Sequence, residues 1–457
     1  MKKRNIAMVH FQVGEMDGVS LEMEKWKLIF EQMGHTVTFV AGHLGTAEGE
    51  LIEEIYHHQP LAERLRHNML WGFDDYENDE DYREELEAAS AVLEQKVGRF
   101  IEENHINFLV AENIWSVMAH PAVALAFGRL VERYQLETIA HSHDFFWEKL
   151  GHWYLTCATA VELAQKFVPP RNPLVKHAVI NQRSQEQLWA RKGIPSVVVP
   201  NIFDFEEDWV VDDYNQDFRE KVGLKESDVV ILQATRVVQR KSIELAVDFV
   251  AALNTPDRRA ILEEKGLYDG RKFDKDSRIV LIMAGYTQDD DTGWYLDNLK
   301  KKIEQSGIDA MFIEDWVRGD RTEEDGRKIY SLWDTYVHAD FVSYPSFWEG
   351  WGNQLLEALK AKLPILVYEY LVYEQDIKPN GFELVSLGNE ITNTDELGLM
   401  HVPQEIIDRC ADEGLRLLWD TEHRKAITQK NYDIAKQHYS MPALHAHLAA
   451  LLEQFND

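Results

Sequence analysis

One segment of the chain, residues 341–359, constrains the fold more than any other. Its apolar run Phe341–Tyr344 predicts a short buried strand, and leucines at helical spacing from Leu355 onward predict a helix soon after it. Gly350 and Gly352 lie between the two, so the backbone of this turn can approach a ligand closely. The free N–H groups and the positive dipole end of a helix that starts there favour an anion. The segment therefore predicts a turn that binds a phosphate group.

Two carboxylates flank the predicted phosphate-binding turn. Glu349 lies in the turn itself, and Glu357 follows about two helical turns later. Because carboxylates accept hydrogen bonds from hydroxyl groups, a phosphate site with carboxylates at its rim suits a nucleotide-sugar. The alternative interpretation, an ordinary strand–helix junction with two solvated glutamates, stays open on this segment alone.

The size and charge of the chain limit the class of protein further. Its 457 residues predict two domains of comparable size. The 79 acidic side chains outnumber the 48 basic ones and give a formal net charge of −31, which argues against binding to nucleic acid or to an anionic membrane surface. Cys157 and Cys410 lie far apart in sequence, which favours a reducing cytoplasm over a disulfide framework. No apolar run in the sequence is long enough to cross a bilayer, so membrane insertion is not expected.

The first half of the chain has the pattern of alternating strands and helices. It opens with a strand at 6–11, a turn that contains Gly14 and Gly18, a helix at 21–33 and a strand at 36–40. Further strands are predicted at 108–110, 138–140, 178–180 and 197–199. This alternation predicts a parallel sheet with helices on both faces. The opening turn lacks the spacing G-x-G-x-x-G, which weakens an interpretation as an NAD site.

Residues 48–104 predict a long helical insertion in this first half. Between Asp74 and Glu94 the segment is strongly acidic, and Arg83 is its one base. A charge run of this kind is typical of a solvated face. Its position in the N-terminal half also makes it a candidate flap over an acceptor site.

A second α/β series begins after an acidic, aromatic linker at 204–217. Its strands are predicted at 229–233, 278–283, 311–313, 341–344 and 364–368, and an amphipathic C-terminal helix at 441–455. The acidic triplet Asp289-Asp290-Asp291 has the composition of a metal-binding motif. It lies in a polar loop, however, so a solvated loop is the favoured interpretation.

Two motifs of this second half resemble the donor site of family 4 retaining glycosyltransferases with the GT-B fold. The pattern Glu349-x7-Glu357, preceded by Pro345-Ser346, is similar to the donor-site signature of that family. Arg236 and Lys241 are five residues apart between a strand and a helix, and they resemble its R-x4-K diphosphate clamp. Arginine offers a planar fork to phosphate oxygens, and lysine offers a compact charge.

Further landmarks of the same family occur along the rest of the chain. His143 follows a predicted strand and precedes an aspartate, and it is similar to the active-site histidine of the family's first domain. Residues 200–205 resemble the turn that ends that domain. The resemblance places no role on Arg240. The chain departs from the family pattern at 369–374, where a Gly-Gly turn normally contacts the sugar and phosphate.

The resemblance implies an α/β protein of the GT-B fold, with two Rossmann-like domains whose parallel sheets face each other across a cleft. The expected N-terminal, acceptor-side domain covers residues 1–208. The expected nucleotide-sugar-binding domain covers 209–437. The C-terminal helix, 438–457, is expected to pack back on the first domain.

The resemblance also implies the site residues. The expected catalytic residues are His143, Arg236, Lys241 and Glu349, and the expected donor-binding residues are Gly14, Gly18, Gly350, Trp351, Gly352, Asn353 and Glu357. Glu349 is expected to hold the sugar hydroxyls, while the helix carries Glu357 outward to the nucleotide ribose or its surroundings. No metal ion or other cofactor is expected, because two cations and a helix N-terminus already offset the charge of the leaving diphosphate.

The implied activity is retaining transfer of a hexose, glucose or mannose, from a nucleotide-sugar to a small, soluble, polar acceptor such as a sugar, polyol or glycerate-type solute. Two alternatives remain at this point: a nucleotide-sugar 2-epimerase of the same fold, and a non-catalytic nucleotide-sugar-binding protein. The sequence identifies neither the nucleotide base nor the acceptor. It also leaves open whether the chain forms a homodimer.

Overall fold

The structure, a computed structural model, describes residues 3–15, 17–148, 154–287 and 292–455. The chain divides into two compact units. Unit 1 consists of residues 1–202 and 441–457, and unit 2 of residues 203–440. The sequence-based divisions were at 208/209 and 437/438. The triplet Asp289-Asp290-Asp291 lies outside the described residues.

Unit 1 is built on a parallel sheet with the strand order β3-β2-β1-β4-β5-β6-β7. Its strands are β1 (Asn5–His10), β2 (Thr36–Ala41), β3 (Gly49–Leu51), β4 (Phe108–Glu112), β5 (Glu137–Ser142), β6 (Val175–Val179) and β7 (Ser196–Val198). Its helices include α1 (Gly18–Gln32), α2 (Pro60–Leu70), α3 (Asp79–Glu103), α4 (Pro121–Tyr134), α5 (Ala158–Phe167) and α6 (Gln182–Lys192). The central strands read as near-continuous apolar runs because helices cover both faces of the sheet.

The segment 48–104 is not the single long helical region that the sequence predicted. It begins with β3, which pairs in parallel with β2 and forms the edge of the sheet. Two helices, α2 and α3, then follow, separated by the residues 71–78. The acidic run supplies the start of α3: Asn78 caps the helix by accepting hydrogen bonds from the N–H groups of Glu80 and Asp81. Acidic residues in a first turn are stabilised by the helix dipole.

Unit 2 is built on a second parallel sheet, with the order β10-β9-β8-β14-β15-β16. Its strands are β8 (Val229–Gln233), β9 (Ile279–Met283), β10 (Asp309–Phe312), β11 (Val317–Arg318), β12 (Thr322–Glu324), β13 (Arg327–Ser331), β14 (Phe341–Tyr344), β15 (Ile365–Val367), β16 (Val385–Ser386), β17 (Asn393–Thr394) and β18 (Met400–His401). Its helices are α7 (Phe218–Val222), α8 (Ile243–Leu253), α9 (Pro256–Lys265), α10 (Trp294–Ser306), α11 (Leu332–Tyr336), α12 (Asn353–Lys360), α13 (Gln404–Trp419) and α14 (Thr421–Tyr439). Strands β11–β13 and β17–β18 form two small separate sheets.

The last helix, α15 (Met441–Glu453), belongs to unit 1. Its buried leucines, among them Leu444 and Leu448, pack in one apolar cluster with Trp26 and Phe30 of α1. Burial of such side chains contributes about 1.5–3 kcal/mol each. The end of the chain is therefore part of the core of its first unit.

Each large sheet has one point at which the strand order reverses. In unit 2 the chain runs outward from β8 to β9 and β10, and then returns to the other side of β8 as β14. In unit 1 the same reversal lies between β1 and β4. Ligands of open α/β sheets bind outside the carboxyl ends of the strands at such points. Among the described residues, no helix is long and apolar enough to span a membrane.

Candidate functional site

The reversal point of unit 2 brings together two sequence-predicted site residues. Lys241 ends a short 3-10 turn that follows β8, and Glu349 lies in the turn that follows β14. These two strands are neighbours in the sheet, so the loops at their carboxyl ends meet. The Lys241 ammonium donates to Glu349 Oε1, and both side chains are buried. Residues from two motifs that are far apart in sequence thus form a direct ion pair.

Arg240, to which the sequence assigned no role, also belongs to this site. Its Nη1 donates to Glu349 Oε2 over 2.6 Å and to the carbonyl of Trp348 over 3.3 Å. The carbonyl of Arg240 in turn accepts from the N–H of Phe347 over 3.1 Å. Arg240 therefore fastens the β14 turn to the β8 turn through side chain and backbone. The sequence did not predict these contacts, because charge pairing across the two loops is visible only in three dimensions.

The electrostatics of the site follow from burial opposed by pairing. Burial raises the pKa of the Glu349 carboxyl, but the charges of Lys241 and Arg240 outweigh this effect and bring it below its ordinary value. Burial lowers the pKa of Lys241, as do the nearby charges of Arg240 and Arg236, while Glu349 raises it. Two cations, Lys241 and Arg240, thus pair with one carboxylate, and the charge of Arg236 acts on Lys241. The net positive charge of these side chains would attract an additional anion to the site.

Arg236 is exposed at the carboxyl end of β8. The backbone of its loop passes so close to residue 285 that only a glycine fits there. A Cβ added to Gly285 would lie 1.9 Å from the carbonyl oxygen of Thr235 and 2.7 Å from the N atom of Arg236. Any side chain there would push the Arg236 loop away. Gly285 is a residue that sequence reasoning missed, although a glycine directly after a strand is the signal that indicates close backbone approach.

The glycine turn predicted from the sequence is present between β14 and α12. Gly352 has φ +134°, and a Cβ there would meet the hydroxyl groups of Tyr370 and Tyr344 at 2.5 and 3.0 Å. The Tyr370 hydroxyl donates to the carbonyl of Trp351 over 2.6 Å. Helix α12 begins at the next residue, Asn353, so its N-terminus lies at the carboxyl edge of the sheet. The segment 369–374, which departs from the family pattern, therefore supports the turn through a tyrosine.

Glu357 does not point outward as expected. It lies in α12, is buried, and its Oε2 accepts from the Tyr336 hydroxyl over 2.6 Å. The expectation failed because α12 packs inward on both sides of this position, with Leu356 and Ala358 also buried. The two glutamates of the motif therefore have different partners: basic side chains for Glu349 and a phenol for Glu357.

His143, Gly14 and Gly18 lie in unit 1, whereas the other predicted site residues lie in unit 2. Gly14 has φ +74° in the loop after β1, and a Cβ there would meet the N atom of Ala47 and the carbonyl of Leu44 at 2.4 Å each. Gly18 is the first residue of α1, which Asp17 caps through hydrogen bonds from two backbone N–H groups. Both glycines thus shape the start of the first α/β unit.

His143 forms a buried group with His141 and Glu112 at the carboxyl edge of the unit 1 sheet. Glu112 Oε2 lies 2.9 Å from His141 Nδ1 and 3.3 Å from His143 Nε2. Burial raises the pKa of Glu112, but the two imidazoles lower it to about 2, so the carboxylate is ionised and both rings donate to it. Burial lowers the pKa of His143, yet its hydrogen bond to Glu112 raises it above the ordinary value.

Glu112 is a further residue that the sequence reasoning missed. It ends β4, the neighbour of β5, and so lies directly beside the residues that follow β5. Within the described residues, Glu112, His141 and His143 are also the group whose ligand atoms, all within 4.8 Å of one another, could hold a metal ion. The Nε2 atom of His141 has no hydrogen-bond partner among those residues, and its ring stacks on Trp26. A metal-bound histidine usually donates a hydrogen bond through its other ring nitrogen, and His141 Nε2 makes none. The three side chains therefore fit a hydrogen-bonded triad better than a metal site.

The chain is similar to several known glycosyltransferases and synthases. The family described as "Glycosyl transferases group 1" matches residues 215–386. The mannosylglucosylglycerate synthase of Petrotoga mobilis is 35% identical over 441 residues, which cover 95% of this chain and 98% of that protein. The mannosylglucosylglycerate synthase of Thermotoga maritima is 35% identical over 439 residues, covering 96% and 97%. The structure of Anabaena Alr3699/HepE in complex with UDP and glucose aligns with TM-score 0.59 and 14% identity over 98% of this chain and 99% of that one.

The two parallel α/β units and these likenesses define a glycosyltransferase of the GT-B fold, so the predicted fold class and enzyme class are confirmed. The likeness to HepE concerns the fold alone. Identity of 35% over nearly the full length of both chains goes further: the chain belongs to the family of the mannosylglucosylglycerate synthases.

Proposed function

We propose that the protein transfers a mannosyl residue from a nucleotide-sugar to a glycerate-bearing sugar acceptor, with glucosylglycerate as the first candidate. The observation that carries this proposal is the full-length 35% identity to two mannosylglucosylglycerate synthases. Their name describes a product with mannose added to a glucosylglycerate unit. The sequence pattern had left glucose and mannose equally open as donor sugars, and the relatives favour mannose.

The donor's diphosphate is proposed to bind at the reversal point of unit 2. Lys241, Arg240 and Arg236 supply positive charge there, and the N-terminus of α12 adds its dipole. Lys241 has three N–H donors, so it can hold Glu349 and a phosphate oxygen together. As the bond between the anomeric carbon and the phosphate oxygen breaks, negative charge grows on the diphosphate. Stabilising this charge is the main contribution of the site to catalysis.

The membership of family 4 and the retaining stereochemistry are part of the proposal. In the front-face scheme, an acceptor oxygen bonds to the anomeric carbon on the side that the diphosphate leaves. The acceptor's proton then passes to an oxygen of the leaving phosphate. Glu349 acts in this scheme as a partner of cations and sugar hydroxyls, not as a nucleophile. The epimerase and the non-catalytic binding protein are not supported by any specific observation.

The experiment that tests the proposal is product analysis by NMR. With GDP-mannose or UDP-glucose as α-linked donors and glucosylglycerate as acceptor, we expect an α-linked product, read from the anomeric proton and carbon couplings. Parallel reactions without acceptor measure hydrolysis as a control. A β-linked product would exclude the retaining assignment. A glycosyl ester trapped on Glu349 would keep retention but replace the front-face scheme with double displacement.

Metal independence is a separate expectation. Because basic side chains and a helix N-terminus offset the diphosphate charge, activity should persist within about twofold in excess EDTA. A melting curve with and without the chelator serves as a control for a metal that stabilises unit 1 near Glu112. Loss of transfer on chelation, restored by magnesium or manganese ions, would contradict the expectation and direct attention to the loop Asp289-Asp290-Asp291.

A further inference from the structure

A second set of basic side chains lies in unit 1 and adjoins the His143 group, because His10 Nδ1 donates to the backbone carbonyl of Glu112 over 2.8 Å. We name His10, His57, Arg66 and His120 the basic cluster. His10 ends β1, and His57 lies in the loop that follows β3. Arg66 lies in α2, and His120 lies at the N-cap position of α4 after β4, without a side-chain hydrogen bond to the helix. The strand order reverses between β1 and β4, so two members of the cluster come from the loops where this fold binds ligands.

Close backbone contacts hold these loops together. The N–H of Gly42 donates to the carbonyl of Phe11 over 3.1 Å, and a Cβ on Gly42 would lie 1.9 Å from the N atom of Tyr56. The His57 ring lies 5.2 Å from the ring of Phe11. The loops after β1, β2 and β3 are therefore packed against one another. This packing fixes the position of His57 beside the end of β1.

The members of the cluster are close enough to affect one another electrostatically. Burial lowers the pKa of His57 to about 3, with further lowering by the charges of His58, His10, Arg66 and His120. Burial also lowers the pKa of His120 to about 4, and the charge of Arg66 acts in the same direction. Both imidazoles are consequently neutral at physiological pH, and Arg66 carries the positive charge.

Buried polar atoms of the cluster have no partners among the described residues. These atoms are Nδ1 of His57, Nδ1 of His120 and Nε of Arg66. His120 is 4% exposed and donates to the backbone carbonyl of Glu54, so its Nδ1 is left as an acceptor. A buried polar atom without a partner destabilises the fold, and a ligand with matching groups would supply the missing hydrogen bond.

Glu63, whose charge acts on Arg66, and Glu54, whose backbone carbonyl accepts from His120, each have another partner. Glu63 is exposed and lies 3.4 Å from His58 Nδ1, and Glu54 forms an ion pair with Lys96. Within the described residues, no carboxylate lies within ion-pair distance of Arg66, whose guanidinium lies 5.3 Å from the ring centre of Trp71. Arg66 is half-buried, so its charge is partly removed from solvent without a paired carboxylate among the described residues.

The chemistry of the cluster specifies its ligand. A guanidinium binds a carboxylate through two parallel hydrogen bonds. A neutral imidazole accepts a hydrogen bond from a hydroxyl group and can donate one through its other nitrogen. One arginine flanked by neutral histidines therefore matches a carboxylate with hydroxyl groups beside it, which is the structure of a glyceryl acid.

We propose that the basic cluster of unit 1 binds the glycerate end of the acceptor, with Arg66 holding the carboxylate and His57 and His120 its oxygen neighbours. This inference rests on the proposed function for the identity of the acceptor. It assigns acceptor specificity to α2, which precedes the acidic run 74–94 that the sequence had suggested as a flap over an acceptor site.

The test compares Arg66→Gln with a matched control on the same helix, Arg64→Gln. Arg64 is exposed and forms an ion pair with Glu85. Each variant is assayed with glucosylglycerate and with its uncharged counterpart glucosylglycerol. Arg66→Gln is expected to lower kcat/KM for glucosylglycerate by about 10- to 100-fold, mainly through KM, the scale of losing a charged hydrogen bond. Transfer to glucosylglycerol should change less than twofold, and Arg64→Gln should behave as wild type with both acceptors.

Arg66→Lys keeps the charge and should recover part of the loss, which separates recognition from folding. An equal loss on both acceptors, or no loss on either, would overturn the inference. Binding of D-glycerate to the wild type and to Arg66→Gln, measured by calorimetry, gives a readout that does not need turnover. If the wild type binds glycerate through Arg66 but transfers no sugar to glucosylglycerate, the proposed function fails while the carboxylate site stands.

Discussion

Replacing Lys241 with alanine is expected to lower kcat by about 10²-fold or more, the scale of losing one donor to the developing charge of a transition state. Lys241 is buried, and its ammonium bonds Glu349 at the edge where the β8 and β14 loops meet. The substitution removes a positive charge from the proposed diphosphate site. Steady-state kinetics with the nucleotide-sugar that supports turnover measure the effect.

A matched lysine provides the control for this prediction. Lys436 lies in α14, is exposed, and pairs with the exposed Glu206, so Lys436→Ala should keep wild-type turnover. Melting curves of both variants show whether unit 2 stays folded. Arg236→Ala, measured in parallel, tests the other member of the clamp. Near-wild-type activity in both Arg236→Ala and Lys241→Ala would refute the assignment of the diphosphate site.

Glu349→Gln is expected to affect both activity and stability. The substitution removes the carboxylate charge that offsets Lys241 and Arg240, and it leaves the buried ammonium without a counter-charge. Breaking a buried ion pair on one side costs about 3 kcal/mol or more in the free energy of unfolding. We also expect a fall in kcat of about 10²-fold, because the two cations lose the partner that orients them. Chemical denaturation and steady-state kinetics measure the two effects.

The companion variants are Glu357→Gln and the pair Lys241→Met with Glu349→Gln. Glu357 accepts from Tyr336, and glutamine can still accept this bond, so a smaller loss of turnover is expected there. The double variant should be more stable than Glu349→Gln alone, because it no longer buries an unpaired charge. Equal stability of the double variant and the single one would show that Lys241 and Glu349 do not stabilise each other.

The sequence placed Lys241 and Glu349 in one site of unit 2, and the structure brings them together, whereas in unit 1 it missed the partner of His143. Arg236, Lys241 and Glu349 follow buried apolar strands, and parallel strands bring their carboxyl ends to one edge. Arg240 and Glu112 were not predicted because each contacts a partner on the loop of a neighbouring strand. Arg240 and Glu349 are 109 residues apart in the chain, and Glu112 and His143 are 31 residues apart. Tyr370 was not predicted because its contact with the turn depends on the space that Gly352, which has no side chain, leaves for the tyrosine hydroxyl.

The sequence also did not predict the edge strand β3 or the burial of Glu357. β3 carries exposed side chains, so it lacks the apolar pattern that marks a buried strand, and pairing with β2 alone makes it a strand. Glu357 has the composition of a solvent-facing helix position. It becomes buried because Tyr336 of α11 supplies a hydroxyl donor at that place.

Local pattern by itself determined the alternation of strands and helices and the glycine turn, since each depends on residues that are near one another in the chain. It also supplied the prediction that Arg236 and Lys241 bind the diphosphate. Tertiary structure alone decided which charges are paired. Ion pairs and orphaned polar atoms depend on distances of a few ångströms between separate loops, and burial sets the strength of these interactions. For that reason the pairing of Arg240 with Glu349, and the unpaired Arg66 among neutral histidines, emerged only from the folded chain.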